Sequence, residues 1–337
     1  MPRPKEPTDT WPGAGQPDIV GQWGKMRLVR YEARGPRRHP VPVLIVTPLL
    51  AKPYVLDLAP GLSLVDHLAE RGLELFLLDF GIPDHQDRQL RFEDHLGVVD
   101  LAMNELLAQT GAKRATLLGY CLGGIFATVY AATHPGNVHN LVTLATPVDF
   151  SRAGPVYRYV RTLDVDGLVD RLGNVPGEWI RDQVWAVTTL TMPARNLRIW
   201  NDFLLHLWDP SYLERQRLVS RWLNDLVPFP GEAYRQFIKE LVQANKLVRG
   251  DLVIDGNTAD PSQITCPVLV LAHTGDVLAP PESAQALVDV VSSADREALT
   301  VSGGTLGHVD IVVGPEGPAI MWPKLSAWLE MHSGAGR

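Results

Sequence analysis

ATLLGYCLGGIFA, residues 115–127, is the stretch from which the fold of this chain can be predicted. It begins as a short apolar strand, turns sharply, and continues as a helix that opens at two glycines. Gly119, Cys121 and Gly123 match the nucleophile-elbow pattern G-x-S-x-G, with a sulfur in place of the hydroxyl. In such an elbow a strained turn carries the nucleophile, and the glycines let strand and helix approach closely.

Cys121 has two interpretations at this point. The following helix directs its N-terminal N–H groups and positive dipole end at the sulfur, which favours the nucleophilic thiolate. A cysteine between glycines can also be a plain core residue, because free cysteine is among the most buried residue types. The pentapeptide leaves both open, so the choice depends on the rest of the chain.

Length and composition restrict the class of protein. A chain of 337 residues can bury a large core, as one large α/β domain or two smaller ones. The formal net charge of −7 argues against nucleic acid as the main partner, although residues 34–38 (RGPRR) are basic. Residues 1–18 lack the apolar part of a signal peptide, and no window reaches the ~18 apolar residues of a membrane span. We therefore expect a cytoplasmic protein without a membrane span.

The chain has two cysteines, Cys121 and Cys266. They are too few for a disulfide framework or a cysteine-based zinc site, and no metal site is expected. Cys266 opens an apolar run and is predicted to be a core residue. A reducing cytoplasm suits a working thiol at Cys121.

Strands and helices alternate from residue 41 onward. After a possible edge strand at 26–33, apolar runs predict strands at 41–47, 73–80, 115–119, 140–145, 266–273 and 297–301. Helical spacing and caps predict helices at 63–71, 92–109, 282–291 and 323–330. This alternation predicts an α/β fold whose sheet is mostly parallel and has helices on both faces.

The alternation stops near residue 150 and resumes at residue 266. Residues 151–264 are predicted to form an inserted, mainly helical cap on an α/β core made of residues 26–150 and 265–337. Residues 1–25 are predicted to be a flexible lead-in. Five tryptophans of the cap either pack its interior or line an apolar passage for a substrate.

An acid and a histidine follow Cys121 in the order that the α/β-hydrolase fold uses, nucleophile, acid, histidine, each at the carboxyl end of a strand. Asp276 and His308 lie in glycine-containing loops just after two predicted strands. An Asp in a turn is often only a capping residue, and a lone loop His usually lies at the surface. The order favours a catalytic triad of Cys121, Asp276 and His308. Asp149, after the strand that follows the elbow, is the alternative acid.

The oxyanion hole is expected to consist of two backbone N–H groups. One is that of Leu122, and the other comes from the loop at 47–50, where we choose Leu49. Two further histidines fit the site less well: His134 closes the elbow helix, and His273 is expected to be buried at a strand end.

With these residues the chain resembles the catalytic subunit of polyhydroxyalkanoate (PHA) synthases, most closely the short, two-component classes III and IV. The resemblance runs from about residue 41 to 329, is thinnest between 151 and 195, and is specific because several motifs occur in one order. The matching stretches are residues 53–84, GYCLGG at 119–124, 138–150, 230–245, 264–287, GHVDIVVG at 307–314 and MWPKLSAWL at 321–329.

The resemblance implies that a 3-hydroxyacyl group passes from coenzyme A to Cys121 and then to the hydroxyl end of a growing polyester. His308 would be the base that forms the thiolate, and Asp276 would orient His308 or help activate the attacking 3-hydroxyl. Coenzyme A would be part of the substrate and a product, with no separate cofactor. The resemblance also suggests a homodimer, a second synthase subunit, and a position at the surface of the polymer granule.

Two positions depart from the family pattern. Val277 follows the acid where the family usually has His, and Leu122 stands where short-class members commonly have Gln. Both departures bear on substrate preference. The alternatives are a hydrolase with the same three residues (thioesterase, esterase or PHA depolymerase) and a non-catalytic granule or scaffolding protein.

Overall fold

The computed structural model describes residues 17–34 and 39–334. The strands of this part are β1 (Asp18–Trp23), β2 (Met26–Tyr31), β3 (Val43–Val46), β4 (Asp57–Ala59), β5 (Leu62–Ser63), β6 (Leu75–Asp79), β7 (Ala115–Tyr120), β8 (Val138–Leu144), β9 (Leu252–Ile254), β10 (Asn257–Ala259), β11 (Val268–His273) and β12 (Arg296–Val301). The α-helices are α1 (Leu64–Glu70), α2 (Phe92–Thr110), α3 (Leu122–Thr133), α4 (Pro155–Val160), α5 (Val165–Leu172), α6 (Gly177–Thr191), α7 (Pro193–Leu205), α8 (Pro210–Leu223), α9 (Gly231–Gln236), α10 (Lys246–Arg249), α11 (Pro281–Ala284), α12 (Ala286–Val290), α13 (Asp310–Val313) and α14 (Trp322–His332).

One eight-stranded sheet organises the molecule, in the strand order β1-β2-β6-β3-β7-β8-β11-β12. The first two strands pair antiparallel, and from β6 to β12 all pairs are parallel. The elbow strand β7 lies in the middle of the sheet, and every one of its residues is buried. Apolar clusters cover both faces of the sheet. The predicted α/β-hydrolase architecture, a mostly parallel sheet between helices, is therefore confirmed.

The amino-terminal edge differs from the prediction. Strand β1 lies within the segment predicted to be a flexible lead-in, and that prediction is wrong for residues 18–23. The backbone of β1 pairs with β2 from Asp18↔Arg30 to Trp23↔Met26, so β2 is an inner strand and β1 is the edge. Residues 1–16, and residues 35–38 of the basic segment, lie outside the described residues.

Helix boundaries follow local signals. Ser63 caps α1 by accepting a hydrogen bond from the N–H of Asp66 at 2.9 Å. Gly111 ends α2 in the left-handed region with φ of 68°. The helix predicted at 282–291 is two short helices, α11 and α12, that meet at Gln285.

Between β8 and β11 the chain forms the helices α4 to α10 and a hairpin of β9 and β10, in the range predicted to be the cap. This segment is tied to the core at the loop after β3, because the N–H of Val227 donates to the carbonyl of Leu50 at 2.9 Å. An isolated bridge joins Ala51 and Leu226 at the same place. The cap is thereby anchored beside the loop in which we predict one half of the oxyanion hole. In the described part of the chain, no helix is long and apolar enough to cross a membrane.

Candidate active site

Cys121 lies at the tip of the bend between β7 and α3. Its backbone has φ of 54° and ψ of −122°, a conformation that residues with a side chain rarely adopt. The N–H of Cys121 is held by the carbonyl of Leu144 on the neighbouring strand at 2.9 Å. Helix α3 begins at the next residue, so its N-terminal N–H groups lie beside the sulfur-bearing residue, as the elbow pattern predicts.

Three glycines permit this close contact between strand and helix. A Cβ on Gly119 would lie 2.3 Å from the Cα of Gly124, and one on Gly123 would lie 2.0 Å from the carbonyl oxygen of Val46. A Cβ on Gly124 would lie 1.9 Å from the Oγ1 of Thr146. Any side chain at these positions would force α3 away from the sheet and displace Cys121.

Replacing Gly123 by alanine is therefore expected to lower the free energy of unfolding by more than about 3 kcal/mol, because the new methyl group meets backbone that cannot move alone. The matched control is Gly97→Ala, at an exposed position in the middle of α2 where an added Cβ has open space. That change is expected to raise the free energy of unfolding by up to about 1 kcal/mol. Urea unfolding followed by circular dichroism measures both, and a wild-type midpoint for Gly123→Ala would contradict the account of the elbow.

The structure brings the three predicted triad residues together. The Nδ1 of His308 lies 2.7 Å from the Oδ2 of Asp276, and the charge of the Cys121 sulfur acts on the same imidazole. The Asp276 side chain is completely buried, and its Oδ1 accepts the backbone N–H groups of Leu278 and Ala279, each at 2.8 Å. The carboxylate is thus fixed at the Nδ1 of the imidazole.

The loop that carries His308 is held by residues that the sequence analysis did not single out. The Oδ2 of Asp310 accepts the N–H groups of Leu306 and Gly307 at 2.6 and 2.9 Å. The Tyr120 hydroxyl donates to the carbonyl of His308 at 3.1 Å, and its ring stacks on the imidazole with centroids 5.5 Å apart. Asp310 lies two residues after His308, and this spacing could have drawn attention to it. No feature of the sequence distinguishes Tyr120 as a residue of the site.

Two glycines let the acid loop and the histidine loop touch. Gly307 has φ of 63°, and a Cβ there would lie 2.2 Å from the carbonyl oxygen of Gly275. The glycine-containing loops after β11 and β12 are therefore in direct contact. This contact sets the relative positions of Asp276 and His308.

The alternative acid, Asp149, is engaged elsewhere. Its carboxylate accepts hydrogen bonds from Ser151 and Asn245 and forms an ion pair with Arg152 at 3.0 Å. Burial acts to raise the pKa of Asp149, but these hydrogen bonds and the arginine hold it below its usual value. The imidazole of His308 is hydrogen-bonded to Asp276 instead. Of the two candidate acids, the structure pairs Asp276 with the histidine.

The remaining single candidates make other contacts. His273 is buried at the end of β11, where its Nδ1 accepts the N–H of Gly275. His134 follows α3 as its C-terminal cap and stacks on Tyr130. Cys266 packs against the core, and burial raises the pKa of its thiol to about 11, which disfavours the thiolate.

The charge state of His308 follows from its neighbours. Burial alone lowers the pKa of the imidazole, but the negative charges of Asp276 and Cys121, together with hydrogen bonds to both, raise the pKa well above its usual value. The ring therefore keeps its proton through neutral pH and loses it as the pH rises through this higher value.

We expect histidine ¹⁵N NMR to show His308 as an imidazolium at pH 7 in the wild-type protein. In Asp276→Asn the main positive contribution to the pKa is lost while burial remains, so the ring should be neutral at pH 7. A His308→Gln variant assigns the signal. A neutral ring in the wild-type protein, or an unchanged titration in Asp276→Asn, would contradict this assignment of charges.

Two cavities meet at Cys121. Cavity A, of about 160 Å³, is lined by Cys121, His308 and Arg195 among others. Cavity B, of about 100 Å³, is lined by Cys121 and largely by apolar and aromatic side chains. A nucleophile at the junction of two cavities can receive a substrate from one side and hold an acyl group on the other.

The cap tryptophans fall into two groups. Trp185 and Trp222 line cavity A, and Trp179 lines cavity B, as expected for a substrate passage. Trp200 and Trp208 are 65% and 91% exposed, which neither of the two predicted roles describes. They lie on an outer face of the cap rather than in its interior.

The oxyanion hole stays a prediction at both of its positions. Leu122 opens α3, so its N–H has no acceptor within the helix and is free to bind an oxyanion. The side chain of Leu49 packs into the core, whereas Leu50 lines both cavities. The N–H of Leu50 is therefore a second candidate beside that of Leu49.

The two departures from the family pattern both face the cavities. Val277 lines cavity A, and Leu122 lines cavity B. Each places an apolar side chain in the wall of a cavity that Cys121 also lines. They are thus positioned to affect which substrate is accepted.

The elbow, the buried acid–histidine pair and the central parallel sheet define the class: this is an α/β-hydrolase fold, and the family profile described as "alpha/beta hydrolase fold" matches residues 42–310. Among solved structures, a monoglyceride lipase from Saccharomyces cerevisiae superposes with a TM-score of 0.59 at 15% identity, covering 99% of this chain and 100% of that one. MenH from S. aureus superposes with a TM-score of 0.58 at 15% identity, covering 90% and 98%. At these identities the likeness shows the fold alone.

The sequence relatives are more specific. A profile for the N-terminus of poly-beta-hydroxybutyrate polymerase (PhaC) matches residues 13–68. The poly(3-hydroxyalkanoate) polymerase subunit PhaC of Allochromatium vinosum is 34% identical over 94% of this chain and 89% of its own length. That of Synechocystis sp. is 32% identical over 93% and 83%. The chain belongs to the poly(3-hydroxyalkanoate) polymerase family. This confirms the resemblance and the predicted enzyme class, an acyltransferase of the polymerase type.

Proposed function

We propose that this protein polymerises 3-hydroxyacyl groups from coenzyme A thioesters into polyhydroxyalkanoate, with Cys121 as the acyl carrier. The observation that carries the proposal is the Cys121–His308–Asp276 arrangement at the junction of two cavities, in a chain of the polymerase family. Coenzyme A is part of the substrate and a product, and we propose that no separate cofactor takes part.

In the first half-reaction Cys121 reacts as the thiolate, because its proton is held on His308, and the thiolate attacks the thioester carbonyl carbon. The oxyanion that forms is bound by the N–H of Leu122 and by an N–H of the loop after β3. When the tetrahedral intermediate collapses, the carbon–sulfur bond to coenzyme A breaks, and the departing thiolate receives the proton from His308. Asp276 keeps the imidazole oriented and stabilises its positive charge.

In the second half-reaction the hydroxyl end of the growing polyester attacks the acyl group on Cys121. His308, now neutral, accepts the hydroxyl proton as the carbon–oxygen bond forms, and it keeps this proton as the carbon–sulfur bond breaks. The polyester is then one unit longer, and Cys121 is again a thiolate beside the protonated His308.

A thiol suits this sequence of steps. Exchange between two thioesters costs little free energy, so the acyl group on Cys121 stays activated for attack by a hydroxyl. A serine would form an oxoester, from which transfer to another hydroxyl gains little. Water is the competitor, and the apolar lining of cavity B, with Tyr157 and Phe237 from the cap, is suited to exclude it.

The proposed function is tested by incubating the purified protein with 3-hydroxybutyryl-CoA. Released coenzyme A is measured by thiol titration, and polymer by gas chromatography of the methanolysed precipitate. We expect polymer to form together with coenzyme A release. Free 3-hydroxybutyrate as the sole product would favour the hydrolase, and no coenzyme A release would favour a non-catalytic scaffold.

We further propose that the protein is a homodimer that works in the cytoplasm at the polymer surface, with a second synthase subunit. The support is a set of large apolar side chains on α6, α7 and the following turn that are more than half exposed, since such patches mark interaction surfaces. They are Leu190, Leu197, Trp200, Leu204, Leu205 and Trp208. Sedimentation velocity tests the dimer, and a monomer at micromolar concentration would contradict it.

A further inference from the structure

Arg195, near the start of α7, places a guanidinium in the wall of cavity A. The residue is only 9% exposed, and it lines the same cavity as Cys121 and His308. Within residues 17–34 and 39–334, no hydrogen bond or ion pair involves its side chain, and its buried Nε has no partner. A buried arginine without a carboxylate beside it is unusual.

The surroundings compensate this charge only from a distance. Burial lowers the pKa of Arg195, and the carboxylates of Asp310 and Asp276 act in the opposite direction without contacting it. The guanidinium remains protonated all the same, because it is far too basic to lose its proton at neutral pH. A buried charge that lacks a bonded partner destabilises the folded protein. Such a group is retained where a ligand supplies the missing acceptors.

The two cavities differ in charge. Every residue that lines cavity B is uncharged, and the polar groups there are tyrosines and Gln183. Cavity A has two arginines in its wall. Arg181 is already paired with Asp182 and Asn224, so Arg195 is the cation of this wall that has free donors.

We propose that Arg195 binds oxygen acceptors of the coenzyme A arm beyond the cysteamine unit, either the outer amide carbonyl of the pantetheine or the phosphates. The inference rests on the proposed function. Coenzyme A is anionic and rich in acceptors, and a guanidinium offers five N–H donors in a planar fork. The acyl chain is apolar and suits the uncharged cavity B. Cavity A thus takes the leaving group, and cavity B takes the acyl chain.

The test compares three acyl donors with the same 3-hydroxybutyryl group: the thioesters of coenzyme A, pantetheine and N-acetylcysteamine. The last lacks both the outer amide and the phosphates. Arg195→Met is expected to raise KM for the coenzyme A thioester about ten- to a hundredfold, the range of a lost hydrogen bond to a charged group, with little change in kcat. KM for the N-acetylcysteamine thioester should not change.

Each result distinguishes the possibilities. A rise with both coenzyme A and pantetheine identifies the amide as the acceptor, and a rise with coenzyme A alone identifies the phosphates. An equal rise with all three donors, or none, overturns the proposal. The matched control is Arg198→Met, which removes an exposed arginine one turn along the same helix and should leave all three KM values unchanged.

A binding measurement separates this inference from the proposed function. In a Cys121→Ala background, calorimetric titration with free coenzyme A needs no turnover, and adding Arg195→Met should weaken binding about ten- to a hundredfold. Unchanged binding overturns the inference even if the wild-type protein makes polymer. Lost binding supports it even if the wild-type protein only hydrolyses its substrate.

Thermal unfolding tests whether Arg195 has only a structural role. Because Arg195 is a buried charge without a bonded partner, Arg195→Met should keep or raise Tm. A structural arginine would lower Tm when removed. A lower Tm together with unchanged coenzyme A binding would overturn the proposal.

Discussion

Replacement of Cys121 by alanine is expected to reduce turnover of 3-hydroxybutyryl-CoA by about 10⁶-fold, the loss that follows removal of a triad nucleophile. In the structure this residue lines the same cavity as His308, interacts electrostatically with its imidazole, and lies where both cavities meet. Without the thiol no acyl-enzyme can form, and the remaining binding groups cannot transfer the acyl group by themselves. The measurement is coenzyme A release in single-turnover and steady-state assays.

Cys266→Ala is the matched control, because it removes the other cysteine from a position packed against the core. We expect wild-type kcat, with at most a moderate loss of stability from the small cavity. Iodoacetamide should likewise inactivate Cys266→Ala at the wild-type rate. Retained turnover in Cys121→Ala would overturn the assignment of the nucleophile.

Asp276→Asn is expected to lower kcat by about 10⁴-fold, as in other triads in which the acid becomes an amide and the histidine is held in the wrong tautomer. The bond lost is the 2.7 Å contact between the Oδ2 of Asp276 and the Nδ1 of His308. The backbone N–H groups of Leu278 and Ala279 can still bond the amide oxygen, so the loop should keep its shape. The effect should therefore fall on kcat rather than on folding.

Asp149→Asn is the control for this second prediction, since it makes the same change at the competing position. Its hydrogen bonds join Ser151, at the start of the cap segment, to Asn245, just before α10, so we expect a loss of about 1–3 kcal/mol in the free energy of unfolding. We expect kcat to stay within a few-fold of the wild-type value. A larger loss of kcat for Asp149→Asn than for Asp276→Asn would make Asp149 the catalytic acid.

The elements that could be predicted are those with local signals. The strands before and after Cys121 are short apolar runs, and the end of α2 at Gly111 depends on one left-handed residue. The predictions were wrong where pairing with another segment decides the structure. Nothing in residues 18–23 indicates that they form the edge strand, because that role depends on the free backbone groups of β2.

The candidate site likewise contains residues that a local pattern predicts and residues that only packing brings together. The order of nucleophile, acid and histidine along the chain was enough to propose Cys121, Asp276 and His308. It ranked Asp149 second to Asp276 but did not exclude it, because both residues follow strands of the same sheet. It also gave no reason to single out Tyr120, whose contacts to His308 arise only when β7 packs beneath the histidine loop.

The amino-acid sequence by itself determined the nucleophile elbow and the alternation of strands and helices that makes the sheet mostly parallel. Both depend on glycine spacing and apolar periodicity, which are patterns within a few residues. The tertiary structure alone decided which carboxylate meets His308, because that depends on Gly275 and Gly307 bringing two loops into contact. It also placed the Arg195 guanidinium in cavity A without a partner. Contacts between side chains far apart in sequence depend on how the elements pack, and a local sequence pattern cannot predict them.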